Sequence, residues 1–202
     1  MVIHALIVAP KAVSLVYNCL TCLKGLKILV KKFKGYQTSA TITVNNKHQD
    51  MKLINAAFFS LGEIEYSPGL TIGPGETPKS SKFISKLGKF TSQGMISYKI
   101  LGQFGANWMP LYLIVTWKVK ATSGENSISI NVREYGTPPL SNKSHEEKYR
   151  LFKELHKKRN RTYPGVIAKW DSTSSFFSVS GQIDNRREAE IVITFDHNYK
   201  RY

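Results

Sequence analysis

The chain has 202 residues, 42% of them hydrophobic, and carries 29 Lys and Arg against 14 Asp and Glu, a net charge of +15. That balance suits one globular domain with an appended segment and excludes a disordered chain. The charge favours polyanions, either anionic lipid head groups or nucleic acid, and a count of 2 cysteines excludes a disulfide scaffold.

Residues 1–35 differ from the rest of the chain. They contain Lys11, Lys24, Lys27, Lys31, Lys32 and Lys34 and no Asp or Glu. Residues 2–9 are mostly apolar, but no basic residue precedes them and no convincing small-x-small cleavage site comes after them, so they do not read as a signal peptide. Pro10 suits the first turn of a helix, and Gly35 is a natural stop. About 24 residues at ~1.5 Å each reach about 36 Å, more than a ~30 Å hydrocarbon layer. The charge-free window Ala12–Leu23 is apolar enough but only about half the ~20 residues of a spanning helix. The segment therefore reads as an interfacial helix.

Its apolar face turns partway along. Val13, Val16, Leu20 and Leu23 form one stripe, which then runs into Lys27, Lys31 and Lys34. Beyond Gly25 the apolar side is Leu26, Leu29, Val30 and Phe33, so the spacing predicts two helical segments hinged near Gly25. The alternative is a helix packed on a core by one half and solvated along the other. Cys19 and Cys22 lie in a Cys-x-x-Cys, but no βαβ context or further ligands surround it, so neither a redox nor a metal site is expected.

From residue 36 the periodicity changes to two. Ala40, Ile42 and Val44 alternate with Thr41, Thr43 and Asn45. A turn over 45–50 leads to a second strand, Lys52–Phe59. Residues 66–81, rich in Gly, Pro, Ser and Thr, form loops around a short strand, Leu70–Ile72. Met95–Leu101, Leu111–Lys120 and Ser127–Tyr135 read as strands, the last two joined by a turn at 123–126. One helix comes next, near 144–158, opened by a Ser144-x-x-Glu147 capping box. Tyr149, Phe152 and Leu155 or His156 form its apolar side. Phe176–Gly181 and Ala189–Phe195 complete the set. The fold class this predicts is mainly β, an antiparallel β-sandwich flanked by two helices, with 1–35 as a separate N-terminal helix and 36–202 as the sandwich domain.

No enzyme motif is present. The histidines (His4, His48, His145, His156, His197) are scattered, and His145 and His156 read as a solvated helix face. Gly-x-Ser-x-Gly, His-Glu-x-x-His and a phosphate-binding glycine loop are absent, so no catalytic residue, metal or cofactor is expected. Nucleic acid is disfavoured, because no aromatics are interleaved with a basic sheet surface.

Several motifs fall in a familiar order: Ala40–Asn46, Phe58–Gly62, Pro68-x-x-x-Ile72-x-Pro74-Gly75, Phe83-x-x-Lys86 with Gly94-x-x-x-Tyr98, Asn131-Val132-Arg133-Glu134-Tyr135, and Glu146-x-x-Tyr149 with Glu154-Leu155. Together they resemble the actinoporins and actinoporin-like pore-forming cytolysins. The resemblance implies a water-soluble, secreted monomer that binds a target membrane and oligomerises there. It then releases its N-terminal amphipathic helix into the bilayer to line an ion-conducting pore.

In that picture Val13, Val16, Leu20, Leu23, Leu26, Leu29, Val30 and Phe33 enter lipid. Lys24, Lys27, Lys31 and Lys34 line the pore or meet anionic lipid, so the pore should favour anions. The positions that correspond to the family's head-group pocket are Leu61, Gln93, Thr116, Trp117, Lys118, Tyr149 and Lys153. The family's Ser-x-Pro-Tyr segment and tyrosine cluster are replaced here by Thr116–Lys118 and by lysine. This shifts the expected ligand from choline held by cation–π contacts to anionic or glycolipid head groups, sphingolipid being the family precedent. Trp108, Tyr112, Trp117, Tyr163 and Trp170 are the candidates for an interfacial aromatic belt. A non-lytic, lectin-like glycan- or lipid-binding module on the same fold is the alternative.

Overall fold

The computed structural model describes residues 21–28, 37–102, 110–121, 125–171 and 176–198. The chain divides into two units, Met1–Tyr36 and Gln37–Tyr202.

In the first unit, residues 21–28 are helical (α1) and each is exposed, including Leu23, Lys24, Leu26 and Lys27. The helix runs through Gly25 without a break, which corrects the hinge expected there. A glycine costs a helix about 1 kcal/mol relative to alanine, but it keeps its N–H and C=O in the hydrogen-bond ladder. Cys22 is a free, exposed thiol on this helix. Val13, Val16, Leu20, Leu29, Val30, Lys31, Phe33 and Lys34 lie outside the described residues. Among the described residues no helix is long and apolar enough to cross a membrane.

The second unit is a sandwich of two sheets. Its strands are β1 (Ser39–Asn46), β2 (Lys52–Ser60), β3 (Glu63–Tyr66), β4 (Thr71–Ile72), β5 (Ser81–Ile84), β6 (Thr91–Leu101), β7 (Leu111–Lys120), β8 (Ser127–Glu134), β9 (Ala168–Asp171), β10 (Phe177–Ile183) and β11 (Glu188–His197). A six-stranded sheet has the order β3-β5-β1-β11-β10-β9, and a five-stranded sheet the order β4-β2-β6-β7-β8. All neighbours are antiparallel except β1 and β11, where Ile42 lies beside Ile191 and Val44 beside Ile193. The mainly β sandwich predicted from the periodicity is the fold that forms.

Alternation explains the core. Ile42, Val44, Ile191, Ile193 and Phe195 point from the six-stranded sheet towards Leu53, Ile96, Leu113, Val115 and Trp117 of the five-stranded one. Trp117 is 0% exposed and lies against Phe83, with ring centroids 4.6 Å apart. It needs Gly94 on the neighbouring strand. A Cβ there would sit 2.3 Å from the Phe59 carbonyl oxygen and 2.7 Å from the Trp117 ring.

The helix α2 (His145–Leu155) covers the outer face of the five-stranded sheet. Phe152 and Leu155 close over Phe59, Met95, Tyr112 and Ile114, with Leu140 at the edge. Full burial of each such side chain contributes roughly 1.5–3 kcal/mol. The predicted capping box is present: Glu147 N–H donates to Ser144 Oγ (3.2 Å), and Ser144 N–H donates to the Glu147 carboxylate (2.7 Å). A short 3-10 turn, Lys158–Asn160, comes after the helix.

Candidate functional site

Outward-facing residues of β6, β7 and β8 form rows across the five-stranded sheet. Gln93 lies opposite Lys118, and Lys118 opposite Ser127. Leu61 N–H donates to the Gln93 carbonyl at 3.1 Å, so Leu61, Gln93 and Lys118 belong to one row. The next row holds Met95, Thr116 and Ser129 and lies beneath α2. Three of the seven predicted pocket residues thus meet at one partly open place, and Thr116 is adjacent but buried.

Trp117 leaves the set. Successive residues of a strand face opposite sides, so a tryptophan between Thr116 and Lys118 points into the core. Its indole N–H donates to Ser92 Oγ at 3.4 Å. Tyr149 and Lys153 sit on α2, where Lys153 Nζ lies 4.3 Å above the Tyr149 ring centroid. The ring's negative face is therefore occupied by a cation of the protein itself.

His156, at the C-cap of α2, corrects the reading of a solvated histidine. It is buried, with Nδ1 2.8 Å from Thr116 Oγ1 and Nε2 3.0 Å from Ser127 Oγ. Burial, reinforced by the positive charges of Arg161 and Lys118, pushes its pKa down to about 3. Arg161 Nε–H donates to the His156 carbonyl at 2.7 Å, which places its guanidinium at the same spot. Lys118 is held below the ordinary lysine value by burial, and Lys120 and Arg161 add to the effect. His145 is exposed, its ring 5.0 Å from that of Phe59.

This place belongs to one end of the sandwich, and hydrogen bonds hold that end together. Asn126 is buried: Oδ1 accepts from Lys120 N–H (3.0 Å), and Nδ2 donates to the carbonyls of Asp184 (2.9 Å) and Arg186 (2.8 Å). The β7–β8 and β10–β11 turns are thereby joined. Ala121 N–H donates to the Phe90 carbonyl at 2.9 Å. Gln37 Nε2 donates to the Ser85 carbonyl and Thr38 N–H to Ser85 Oγ, both at 3.0 Å. The first residues of the sandwich therefore lie beside the loop 85–90.

Of the expected aromatic belt, Tyr112 and Trp117 are buried and Tyr163 is half-buried. Trp170 is half-buried and stacked on Phe177 at 5.2 Å. Trp108 lies outside the described residues.

Two other places qualify chemically. His48, Asp50 and His197 bring possible ligand atoms within 4.8 Å of one another. His48 Nδ1 accepts from both Asp50 N–H and Met51 N–H, each at 3.1 Å, which fixes the ring proton on Nε2 and leaves no lone pair for a metal. A groove of about 490 Å³ on the outer face of the six-stranded sheet is lined by Val166, Ile167, Gln182, Asp184, Glu190 and Val192. Arg186 pairs with both acids, at 2.5 Å from Asp184 and 3.1 Å from Glu190.

No family model and no curated protein matches the sequence. Among solved structures, the chain is similar to the crystal structure of the lipid binding protein Nakanori. The TM-score is 0.53 at 15% identity, over 91% of this chain and 84% of that one. The two chains share a β-sandwich fold.

Proposed function

We propose that this protein binds membrane lipids through the cationic end of its sandwich, assembles with further copies on the bilayer, and inserts its N-terminal helix to form a pore. The observation that carries the reading is positional. The half-buried Lys118, with Lys120 and Arg161, lies at the end of the sandwich where its first residues, Gln37 and Thr38, bond to Ser85. The sequence before residue 37 adds a basic segment free of Asp and Glu. The lipid binding named for Nakanori supports the same use of the fold. The chain acts by binding: the two ring nitrogens of His156 are taken up by Thr116 and Ser127, which leaves it no catalytic lone pair. Secretion follows from an action on target membranes.

Calcein release from vesicles tests this reading, with anionic, choline-only and glycolipid compositions run in parallel. Release from one or more compositions is expected. Binding without release turns the reading into the non-lytic module. The groove beside Gln182, Asp184 and Glu190 favours that second reading, since polar side chains next to apolar Val166 and Ile167 suit a glycan.

A further inference from the structure

The loop between β5 and β6 reads Lys86-Leu87-Gly88-Lys89-Phe90, and all of it is exposed. Leu87 is 45% and Phe90 46% exposed. A turn closed by Lys89 N–H donating to the Lys86 carbonyl (2.9 Å) shapes the tip, and Gly88 takes the left-handed conformation with φ of 77°. Large apolar side chains alternating with lysine on a protruding turn are costly in water. They suit an interface that is apolar below and anionic above.

The neighbours carry the same charge. Lys120 lies opposite Thr91 and Lys118 opposite Gln93, both on the outward face of the sheet beside this loop. Among the described residues no ion pair involves Lys86, Lys89, Lys118, Lys120 or Arg161. The exposed acids at this end are Glu125, Glu63 beside Ile84 and Glu188 beside Ser39, outnumbered by Lys86, Lys89, Lys118, Lys120, Arg161 and Arg187, and Asp184 is already paired with Arg186. The opposite end of the sandwich is different. It exposes Phe176, and Asp50, Glu76, Asp171 and Asp196 are spread around it; Leu70 is exposed on the sheet edge beside Ala56 of β2, away from the β5–β6 loop.

We propose that the sandwich docks by the β5–β6 loop onto an anionic phospholipid bilayer, with Leu87 and Phe90 entering the interface and Lys86, Lys89, Lys118 and Lys120 meeting phosphates. The inference rests on the lipid-binding reading and adds to it the docking face and the head-group charge. Each lysine near an anionic surface raises affinity roughly fivefold, so four acting together give a steep dependence on lipid charge and on salt.

The test uses the full chain with phosphatidylcholine vesicles, with and without phosphatidylserine. Leu87→Trp places a reporter on this loop and Leu70→Trp one on the sheet edge away from it, both at exposed positions. With phosphatidylserine present, the Leu87→Trp difference emission should shift to the blue and be quenched by brominated lipid, while Leu70→Trp stays unchanged. A Lys86→Gln/Lys89→Gln pair should bind about 25-fold more weakly. Failure of the unmodified protein to sediment with any vesicle defeats the lipid-binding reading itself. Sedimentation with quenching at residue 70, at neither residue, or equally without phosphatidylserine overturns the docking face or its anionic preference and leaves the broader reading standing.

Discussion

Thr116 Oγ1 lies 2.8 Å from His156 Nδ1, and both side chains are shut away from solvent beneath the end of α2. The pair ties the helix to the middle strand of the five-stranded sheet, and Ser127 completes the link on the other side of the ring. The neutral ring donates to one hydroxyl and accepts from the other, and its burial is what opposes a second proton. A proton added there finds Lys118 and Arg161 already nearby. The helix that carries Tyr149 and Lys153 is thus fastened by a contact that acid undoes.

The sign of the pH dependence is set by that burial. The folded pKa of His156 is about 3 against an ordinary value of 6.5, so the unfolded chain binds the extra proton first as pH falls. The contribution of the neutral ring is whole above 6.5 and is lost progressively down to about 3. Near pH 4.5 the loss is about 2–3 kcal/mol, at ~1.4 kcal/mol per pH unit. His48 is also lowered, by burial and by His197, and adds to the loss with the same sign. Urea unfolding at pH 7 and 4.5 measures the total. His156→Gln should be less stable at pH 7 but should show a markedly flatter pH profile; an unchanged slope would mean that other groups govern it.

Gly94→Ala tests the packing behind the site. The added Cβ meets the Phe59 carbonyl and the Trp117 ring, neither of which can retreat without disturbing both sheets. Overpacking of this kind costs about 1–3 kcal/mol. Denaturant midpoints should fall accordingly, and the near-ultraviolet circular dichroism of the buried indole should change.

Which of these features the sequence announced depends on whether a residue's environment is set by its own neighbours. β1, β8 and β11 show strict alternation over Ile42–Val44, Ile128–Val132 and Ile191–Phe195, and they form as read. β3, β5 and β9 did not stand out. β3 is exposed along its whole length, and β5 and β9 span four residues each, so pairing with β1 and β10 defines them more than any internal pattern. Trp117 is placed with Thr116 and Lys118 by the family resemblance, although period two opposes it to both and puts it in the core. His156 was not legible: its burial depends on hydroxyls from two strands far away in sequence. The Lys-Leu-Gly-Lys-Phe loop stands plainly in the sequence and gains meaning only when β6 and β7 bring Lys118 and Lys120 beside it.

Ser144→Ala removes one half of the capping box. Glu147 N–H then loses its acceptor at the first turn of α2. Loss of such a cap costs about 1 kcal/mol. The melting temperature should drop by a few degrees, and Ser144→Asp should restore most of it, because an acidic N-cap accepts the same hydrogen bond and suits the helix dipole.

Ion selectivity tests the N-terminal unit. Lys24 and Lys27 are exposed on α1, and residues 1–35 contain no carboxylate side chain to offset them. A lumen built from copies of this segment is positive along its wall, and a ring of lysines attracts anions and repels cations. Planar-bilayer reversal potentials under a potassium chloride gradient should therefore lie towards the chloride equilibrium potential. Lys24→Glu/Lys27→Glu should move them towards the potassium value, the more so at low salt, where screening is weakest. Strong cation selectivity in the unmodified protein would show that these lysines do not face the conducting path and that another part of the molecule lines it.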